Sequence, residues 1–493
     1  MGKKVIVIGS GFAGLSAAAH LAQKGYAVKV VEKHDRAGGR ARTFEQAGFL
    51  FDMGPSWYWM PDVFQRFFQQ FGKSVGDYYD LVRLDPSYRI WFGEGDHVDL
   101  PADMDGMSAL FESMEKGAAQ KLGQFLKEAA YKYEVGIHDL VYRPGRSWWE
   151  FADWRVMKGV FRLDLFRSFS SHVRKYFQNP RLVTMLEFPV LFLGAKPSHT
   201  PALYSLMNYA DMVLGTWYPM GGMYRIIEGM VDVARSLGVE FEMNAEVQHI
   251  DVRDGLARRV QLAGRALEAD IVVGGADYHH VEQDLLQPEF RSYTESYWDR
   301  RVMAPGCLLF YIGVNQRLEG LLHHNLFFDA DFEQHATEIY DRPQWPSHPL
   351  FYVCCPSKTD PSVAPEGSEN LFVLIPLAPG LGNDTEEMRE RYYHMVMARL
   401  EKMTGQAIRP HVVYQRSYAH RDFEQDYHAY RGNAYGLANT LRQTAVLKPS
   451  IKSRKVSNLF YTGQLTVPGP GVPPSLISGH VVAEEIAREF KIK

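Results

Sequence analysis

The sequence has few cysteines, almost no excess charge and no long apolar run. Its 493 residues include three cysteines, and 54 basic against 58 acidic side chains give a net charge of −4. Cys307, Cys354 and Cys355 cannot form the disulfide framework of a secreted protein and lack metal-ligand spacing. We expect them to be small buried residues in a reducing compartment. The balanced charge gives no indication of a nucleic-acid partner.

The apolar content indicates a globular protein without a membrane span. With 46% hydrophobic and 23% charged residues, the chain is large enough for two or more cores. The most apolar stretch, residues 5–22, contains three glycines and Ser10, Ser16 and His20. A membrane helix needs about twenty mostly apolar residues, and no small-residue cleavage site follows. We therefore expect a cytoplasmic protein.

The first 32 residues have the pattern of a dinucleotide-binding unit. The run Val5–Ile8 predicts a buried strand, and Gly9, Gly11 and Gly14 then form G-x-G-x-x-G at the start of a helical pattern. A second predicted strand ends at Glu32. The glycines permit a tight turn, close approach of a pyrophosphate and packing of helix on strand, and the acid accepts hydrogen bonds from a ribose. Phosphate is favoured at the helix N-terminus.

The continuation through Gly38, Gly39 and Arg40 resembles the FAD fingerprint of the family that joins amine oxidases, protoporphyrinogen oxidase and carotenoid desaturases. The resemblance implies FAD as the cofactor. The residues that it implies for FAD binding are Gly9, Ser10, Gly11, Ala13, Gly14, Glu32, Lys33, Gly39, Arg40, Gly54, Pro55, Ser56, Val247, Gly463, Gln464, Gly471, Val472 and Pro473.

A loop rich in proline and glycine lies near the C-terminus. A short apolar strand ends at Gly463, and after the loop a helix is predicted from Ser475. In the family, a segment of this kind returns to the first sheet and holds the flavin. The sequence departs from the carotenoid desaturase pattern at Gln464, Leu465 and Val467, which leaves individual flavin contacts open.

These features predict an α/β protein with a Rossmann-type FAD-binding domain of the amine oxidase and GDI-like superfamily. The family resemblance implies that residues 1–85, 221–290 and 445–493 form this discontinuous domain, in which Val247 would offer a backbone contact to the adenine. Residues 86–220 and 291–444 are then predicted to form an inserted mixed α+β substrate domain.

The stretch 131–177 is rich in aromatic and basic side chains. It contains twelve aromatic residues, and residues 143–175 contain eight basic and three acidic side chains. Such a helical stretch suits a membrane–water interface, or it packs into its own core. The first alternative predicts peripheral association with the inner membrane. Single-stranded nucleic acid also uses such residues, but no nucleic-acid fold signature accompanies them.

Further motifs resemble carotenoid desaturases, and most closely bacterial phytoene desaturases of the Bacteroidetes type. They are Phe51–Asp62, Trp217–Met223, Ala364–Gly367, Asn433–Gly436 and Gly463–Pro468. The resemblance implies that hydride passes from saturated bonds of phytoene, a hydrophobic polyene, to the flavin, giving products such as lycopene. Because no second G-x-G-x-x-G follows for a nicotinamide, oxygen or a quinone is the expected electron acceptor.

The resemblance points to Arg167, Arg301 and Asp52 as catalytic residues, although a structural role for each stays open. Arginine is a poor general base, so the arginines are expected to bind a flavin or quinone oxygen. The histidine pairs at 279–280 and 323–324 are expected to point in different directions. We therefore predict no metal site.

Several alternatives to phytoene desaturation stay open. A desaturase of thirty-carbon or hydroxylated carotenoids and a carotenoid isomerase would use the same flavin machinery. An amine oxidase would place an aromatic sandwich at the flavin. GDP dissociation inhibitors share the fold as lipid carriers without a flavin, but here the whole FAD fingerprint is present.

Overall fold

A computed structural model of the chain describes residues 2–147, 150, 167–191 and 194–492. The strands of this part, β1 to β19, are Lys4–Ile8, Ala27–Val31, Thr43–Gln46, Phe49–Asp52, Leu81–Arg83, Tyr88–Gly93, Asp96–Leu100, Trp217–Pro219, Glu240–Glu242, His249–Arg253, Leu256–Leu262, Arg265–Glu268, Ile271–Gly274, Gly306–Val314, His324–Phe327, Phe351–Cys354, Glu369–Leu377, Val412–Tyr418 and Leu459–Tyr461. Its α-helices, α1 to α13, are Phe12–Gln23, Pro61–Gln69, Met104–Met114, Ala118–His138, Phe169–Tyr176, Pro180–Leu191, Leu206–Met212, Tyr224–Ser236, Glu295–Asp299, Phe332–Tyr340, Glu386–Thr404, His420–Tyr427 and Val472–Glu489.

A five-stranded parallel sheet is built from three distant parts of the chain. Its order is β19-β13-β1-β2-β9, with Val5 of β1 aligned with Ile271 and Val28. The β-branched residues of β1 are buried, as expected for a central strand covered on both faces. The carboxyl ends of β1, β2, β13 and β19 therefore meet at one edge, where a ligand of an open α/β sheet binds.

Helices α1 and α13 pack closely against each other beside this sheet. A Cβ atom on Gly479 of α13 would lie 2.3 Å from the Ala13 carbonyl oxygen and 2.6 Å from the Ala17 nitrogen. Only glycine permits this approach of the two backbones. The last described helix is thereby fixed to the helix that follows the glycine turn.

The second large sheet has seven strands in the order β18-β14-β17-β16-β15-β6-β7. Strands β15 and β6 are parallel, and the other neighbours are antiparallel. Along β14, Leu308, Phe310 and Ile312 face a core with α11, while Leu309 and Tyr311 belong to the core on the opposite side. This alternation follows from the two-residue period of a strand.

Helices α3 to α7 form most of the described chain between Met104 and Met212. Four of the six described aromatic residues of the aromatic and basic stretch, Tyr133, Phe169, Tyr176 and Phe177, are buried and pack into a core, whereas Tyr131 and Tyr142 are half-buried. Residues 148–149 and 151–166, on which the membrane-interface prediction chiefly rests, lie outside the described residues. Within the described part, no helix is both long and apolar enough to cross a membrane.

Candidate active site

A cavity of about 370 Å³ lies at the carboxyl edge of the parallel sheet and extends to the seven-stranded sheet. The predicted cofactor residues converge on it from all three segments that the sequence analysis assigns to the FAD-binding domain. Each of them except Gly14 lines the cavity. The fold therefore brings together residues that are up to 464 positions apart in the chain.

The glycine turn leaves backbone exposed to the cavity. Gly9 has a φ of +93°, which favours glycine, and no described atom lies within 4 Å of a Cβ atom built on Gly11. A Cβ on Gly14 would instead lie 2.1 Å from the Gly9 carbonyl oxygen. Gly14 thus serves the packing of α1 on the turn, which explains why it does not line the cavity.

Glu32 at the end of β2 holds the glycine turn. Its Oε2 atom accepts hydrogen bonds from the backbone nitrogen of Ser10 at 2.9 Å and from the Ser10 hydroxyl at 2.6 Å. Its Oε1 atom accepts from the backbone nitrogen of His34 at 3.0 Å. The carboxylate therefore orders the turn in addition to lining the cavity.

Arg40 places a buried positive charge beside the glycine turn. Its Nε atom is buried and has no hydrogen-bond partner among the described residues, while its Nη2 donates a long bond of 3.4 Å to the Asn433 carbonyl. When the Gln464 amide is oriented with its oxygen toward the guanidinium, that oxygen accepts from Nη2 and Nη1 at 3.0 and 3.2 Å. A buried cation with spare donors beside exposed backbone fits a pyrophosphate.

A second group of polar residues lies beyond the end of β2. The Glu246 carboxylate is held by His428 Nε2 at 2.8 Å and by Lys33 Nζ at 3.4 Å. His280 stacks on His428 with ring centroids 3.9 Å apart. These four residues and Val247 line the cavity. The sequence contained no signal for His428, because its place depends on α12, whose C-terminal end meets the loop after β2 through Lys33 Nζ and the Gln425 carbonyl, 2.9 Å apart, and through His34 Nε2 and the Asp426 carbonyl, 2.8 Å apart.

The closing segment begins its helix earlier than predicted. Helix α13 starts at Val472, with Gly471 as its N-cap, rather than at Ser475. The prediction was wrong because Pro473 and Pro474 fit the first helical turn, where no amide donor is needed. Gly463 has a φ of +114°, and a Cβ there would lie 3.8 Å from the Ala13 Cβ.

The cavity becomes apolar and aromatic toward the seven-stranded sheet. This compartment is lined by Trp57, Trp59, Met60, Met207, Cys307, Leu309, Tyr352, Phe372, Leu374, Ala434 and Tyr435. A further cavity of about 60 Å³ adjoins it and shares Tyr352, Leu374 and Tyr435 as lining residues. Such walls bind an apolar ligand of some length. The expected burial of the three cysteines is confirmed.

None of the predicted catalytic residues lines this compartment, although Asp52 lines a small cavity of about 20 Å³ together with Ser56 and Phe372, which also line the main cavity. Arg167 is exposed, and Arg301 lies over the ring of Tyr297, with its guanidinium carbon 4.4 Å from the ring centroid. Neither arginine lines the described cavities. Asp52 accepts hydrogen bonds from the backbone nitrogens of Met223 and Tyr224 at 2.8 and 3.2 Å.

Asp52 therefore caps helix α8 from outside the main cavity. Burial raises the pKa of its carboxyl to about 7, against the two backbone hydrogen bonds, which lower that pKa.

The histidine pairs differ in arrangement. His279 stacks on Tyr430 and His280 on His428, so this pair diverges as expected. The expectation is wrong for His323 and His324, whose ring centroids are 4.5 Å apart, because His323 precedes β15 and is not held by its alternation.

The histidines at 323 and 324 form a buried cluster with Cys354. The nearest ligand-capable atoms of the three side chains lie within 4.8 Å of one another. The Nδ1 atom of His323 is hydrogen-bonded to the Thr359 hydroxyl at 2.7 Å, and the Nδ1 atom of His324 to the Tyr352 hydroxyl at 2.6 Å. Burial raises the pKa of the Cys354 thiol to about 12, whereas metals bind the thiolate. We therefore interpret the cluster as a hydrogen-bonded group.

Residues 12–487 match the pattern of the family described as flavin-containing amine oxidoreductases. The chain belongs to this family. It is 44% identical over 490 residues to a carotenoid 3,4-desaturase of Haloarcula japonica, covering 99% of both chains. It is 32% identical over 492 residues to a zeta-carotene-forming phytoene desaturase of Myxococcus xanthus, covering 98% of this chain and 94% of the relative. The resemblance to carotenoid desaturases is thereby confirmed.

Solved structures of other proteins share the fold of this chain. An oxidoreductase from Methanosarcina mazei aligns with a TM-score of 0.64 at 17% identity, covering 98% of this chain and 100% of that one. A putrescine oxidase aligns with a TM-score of 0.62 at 14% identity, covering 99% of both chains. These likenesses confirm the predicted α/β fold class, and family membership confirms the predicted FAD cofactor. The glycine cradle and the buried Arg40 fit that cofactor.

Proposed function

We propose that this protein is an FAD-dependent desaturase, which removes two hydrogens from a carbon–carbon single bond of a carotenoid. The observation that carries the proposal is a single cavity with a glycine cradle and a buried arginine at one end and an aromatic compartment at the other. A polyene hydrocarbon offers no polar handle, so it is bound by apolar and aromatic walls. The relatedness to carotenoid desaturases supports the same assignment.

The residues of this chain have separate roles in such a reaction. FAD supplies the hydride acceptor. The backbone at Gly9 and Gly11, with Arg40, would hold its pyrophosphate. Trp57 and Phe372 would orient the polyene and exclude water from the reacting bond, because exclusion of water protects a cationic substrate from side reactions.

Two substrates are specific candidates. Phytoene, converted stepwise toward lycopene, is the substrate implied by the sequence motifs. The name of the 44% identical relative, carotenoid 3,4-desaturase, favours a bond at the end of a carotenoid that is already conjugated, such as the single bond between carbons 3 and 4 of lycopene. Thirty-carbon and hydroxylated carotenoids remain further candidates, and carotenoid isomerisation is the alternative reaction.

We also propose that the substrate enters from a membrane surface and that oxygen or a quinone reoxidises the flavin. A forty-carbon hydrocarbon resides in the bilayer, and the basic and aromatic residues between 143 and 175 suit the lipid headgroup region. No second dinucleotide-binding glycine motif is present for a nicotinamide.

The decisive experiment supplies the FAD-loaded protein with phytoene or lycopene in separate liposome samples. Each sample is run anaerobically with a quinone and aerobically without one, and products are identified by chromatography and mass. We expect products two hydrogens lighter, with longer-wavelength absorption. A protein that binds FAD but neither reduces it nor changes either carotenoid would refute desaturation of these substrates. A product of unchanged mass would indicate isomerisation.

A further inference from the structure

A tryptophan of the apolar compartment is hydrogen-bonded, through one hydroxyl, to a buried acidic residue. Trp59 lines the main cavity, and its indole Nε1 donates to the Thr216 hydroxyl at 2.8 Å. That hydroxyl donates in turn to Asp211 Oδ1 at 3.1 Å, and the Tyr88 hydroxyl donates to Asp211 Oδ2 at 2.7 Å. These four side chains therefore form one hydrogen-bonded network behind the wall of the cavity, with Asp211 at its centre.

The direction of each hydrogen bond in this network follows from the groups involved. An indole has one N–H donor and no acceptor, so the Thr216 oxygen accepts from Trp59 and its only hydroxyl proton goes to Asp211. The Tyr88 hydroxyl directs its proton to the other carboxyl oxygen. Asp211 thus determines the orientation of both hydroxyls, and through Thr216 it determines where the Trp59 indole finds its acceptor.

The backbone brings Trp59 and Thr216 together. The Trp217 nitrogen donates to the Tyr58 carbonyl at 3.1 Å, and the two residues form an isolated antiparallel bridge. Trp59 and Thr216 are the chain neighbours of this bridged pair. Their side chains are therefore adjacent for reasons of backbone pairing, and the network with Asp211 sets the rotation of the indole within that frame.

The network reaches two more aromatic residues of the cavity walls through Tyr88. The Tyr88 ring meets Trp57 and Phe188 edge to face, with centroid distances of 5.5 and 5.3 Å and interplanar angles of 73° in both contacts. Trp57 lines the main cavity and Phe188 the adjoining one. The Trp57 and Trp59 rings are 4.9 Å apart. The orientation of three wall residues thus depends on hydroxyls that are bonded to Asp211.

A carboxyl group is an expensive residue at this place. Asp211 is 2% exposed, and burial raises its pKa to about 7 against the hydrogen bonds from Tyr88 and Thr216, which lower that pKa. An apolar residue of similar size would avoid the cost of removing a carboxyl group from water. What a buried polar group adds is the selection of one arrangement of its neighbours over other packed arrangements. Here those neighbours are the aromatic walls.

Desaturation of a polyene requires walls of fixed shape. The hydrocarbon has a repeating structure and no hydrogen-bonding group, so contacts between apolar atoms alone decide which of its bonds lies at the hydride acceptor. Each of these contacts is weak and is lost when the atoms separate by a fraction of an ångström. Aromatic rings that could rotate would accept neighbouring positions of the polyene, and a misplacement of about 1 Å can slow a reaction about a hundredfold. Side chains at such a site are held by packing and by hydrogen bonds behind them.

We propose that Asp211 is a positioning residue that holds the aromatic walls through Thr216 and Tyr88 and thereby selects the carbon–carbon bond that is desaturated. The inference rests on the proposed function, FAD-dependent desaturation of a carotenoid. Among the described residues, Asp211 is not one of those that line the cavities. It therefore acts on the substrate only through the side chains that its hydrogen bonds orient.

The test compares Thr216→Val with Thr216→Ser, using phytoene or lycopene in liposomes, whichever the wild-type enzyme desaturates. Valine keeps the shape of threonine but removes the hydroxyl, whereas serine keeps the hydroxyl and is the matched control. Per bound FAD, we expect kcat of Thr216→Val to fall about tenfold and KM to change less than twofold, because the apolar area is kept. A second product of the same mass, with its new double bond at another position, should appear in Thr216→Val but not in Thr216→Ser.

The position of the double bond distinguishes positioning from a damaged fold. Partial unfolding would lower the amount of active enzyme but would leave the product unchanged. Asp211→Asn, in which one amide oxygen replaces two accepting carboxyl oxygens, should also give the second product. A single wild-type product and wild-type kcat in both Thr216→Val and Asp211→Asn would overturn the inference, as would equal losses in the valine and serine variants. A wild-type enzyme inactive on both carotenoids would overturn the proposed function instead.

The indole hydrogen bond can also be measured without turnover. The nine tryptophans of the oxidised, FAD-loaded protein are labelled with ¹⁵N at the indole nitrogen, and the Trp59 signal is identified by its loss in Trp59→Phe. We expect the Trp59 N–H to exchange with deuterated water at similar slow rates in wild type and Thr216→Ser, and at least tenfold faster in Thr216→Val. Equal exchange in Thr216→Val and wild type would show that the network does not hold the indole, which would overturn the inference.

Discussion

The Glu32 carboxylate binds both the backbone nitrogen and the hydroxyl of Ser10 through one oxygen, at 2.9 and 2.6 Å. This pair fixes the end of β2 to the glycine turn. Hydrogen bonds to a charged group contribute about 1.5–3 kcal/mol, so the two bonds stabilise the turn that the cofactor is expected to contact.

Ser10→Ala should therefore weaken both the fold and FAD binding. The variant removes the hydroxyl bond but keeps the backbone bond, and we expect the free energy of unfolding of the apoprotein to fall by about 1.5 kcal/mol. The FAD dissociation constant should rise by about tenfold. Chemical denaturation and flavin titration measure the two effects. An unchanged denaturation curve would contradict the structural role of this bond.

The glycines at 11 and 14 should respond differently to alanine. In Gly11→Ala the new methyl group points into the cavity, so the apoprotein should unfold within a few degrees of wild type while FAD affinity falls at least tenfold. In Gly14→Ala the methyl group meets the Gly9 carbonyl oxygen at 2.1 Å, and overpacking of this kind costs about 1–3 kcal/mol. Thermal unfolding of both apoproteins provides the comparison, and equal midpoints would contradict the assignment.

Arg40 and Gln464 should act together in cofactor binding. Arg40→Met removes the buried charge, and we expect FAD affinity to fall by about a hundredfold because a charge-assisted contact to phosphate is lost. Gln464→Leu removes the amide that orients the guanidinium and should have a smaller effect of the same sign. Flavin titration of the double variant is the test. If the losses in FAD binding free energy of the two single variants simply add, the residues act independently and the prediction is wrong.

Asp52 should make stability depend on pH with an unusual sign. Its pKa is about 7 in the folded protein and about 3.9 when unfolded. Folding therefore binds a proton between these values, and the Asp52 contribution to stability falls as pH rises from about 4 to about 7, by about 1.4 kcal/mol per pKa unit. Asp52→Asn, whose amide oxygen still accepts from the α8 backbone, should remove this dependence.

The measurement is chemical denaturation of wild type and Asp52→Asn at several pH values. We expect the variant to match wild type near pH 4 and to exceed it at pH 8. A variant less stable than wild type at pH 8 would show that the ionised carboxylate is the form required. Retained desaturase activity in the variant would assign Asp52 to the fold rather than to catalysis.

Membrane contact through residues 143–175 predicts binding to lipid vesicles. The protein should float with liposomes that contain anionic lipid, and charge reversal at Arg155, Lys158 and Arg162 should release it at physiological salt. Each basic residue near such a surface contributes about 1 kcal/mol. Charge reversal at Lys402, Arg317 and Arg409, which lie outside residues 143–175, is the control. Equal flotation of both variants would place the contact elsewhere.

The two halves of the site differ in how far the sequence predicts them. The cradle around Gly9, Gly11 and Arg40 depends on local backbone geometry, which leaves a readable pattern in consecutive residues. The aromatic compartment depends on strand pairing, which brings Tyr352 beside His324 and both near Trp57, and no short-range pattern records such a pairing. Arg301 is a further residue whose surroundings the sequence does not predict, because nothing in its position in the chain indicates that it lies over the Tyr297 ring rather than in a cavity.

The parallel sheet also determines how late in protein synthesis the cofactor site can form. Strand β19 adds to the edge of β13, and α13 rests against α1 through Gly479, so both ends of the cofactor site meet across more than 440 residues. Contacts of such long range form slowly, and chains of this size fold through intermediates with exposed apolar surface. The ribosome must therefore make the chain as far as α13 before a flavin can be enclosed, which makes FAD supply a late influence on yield.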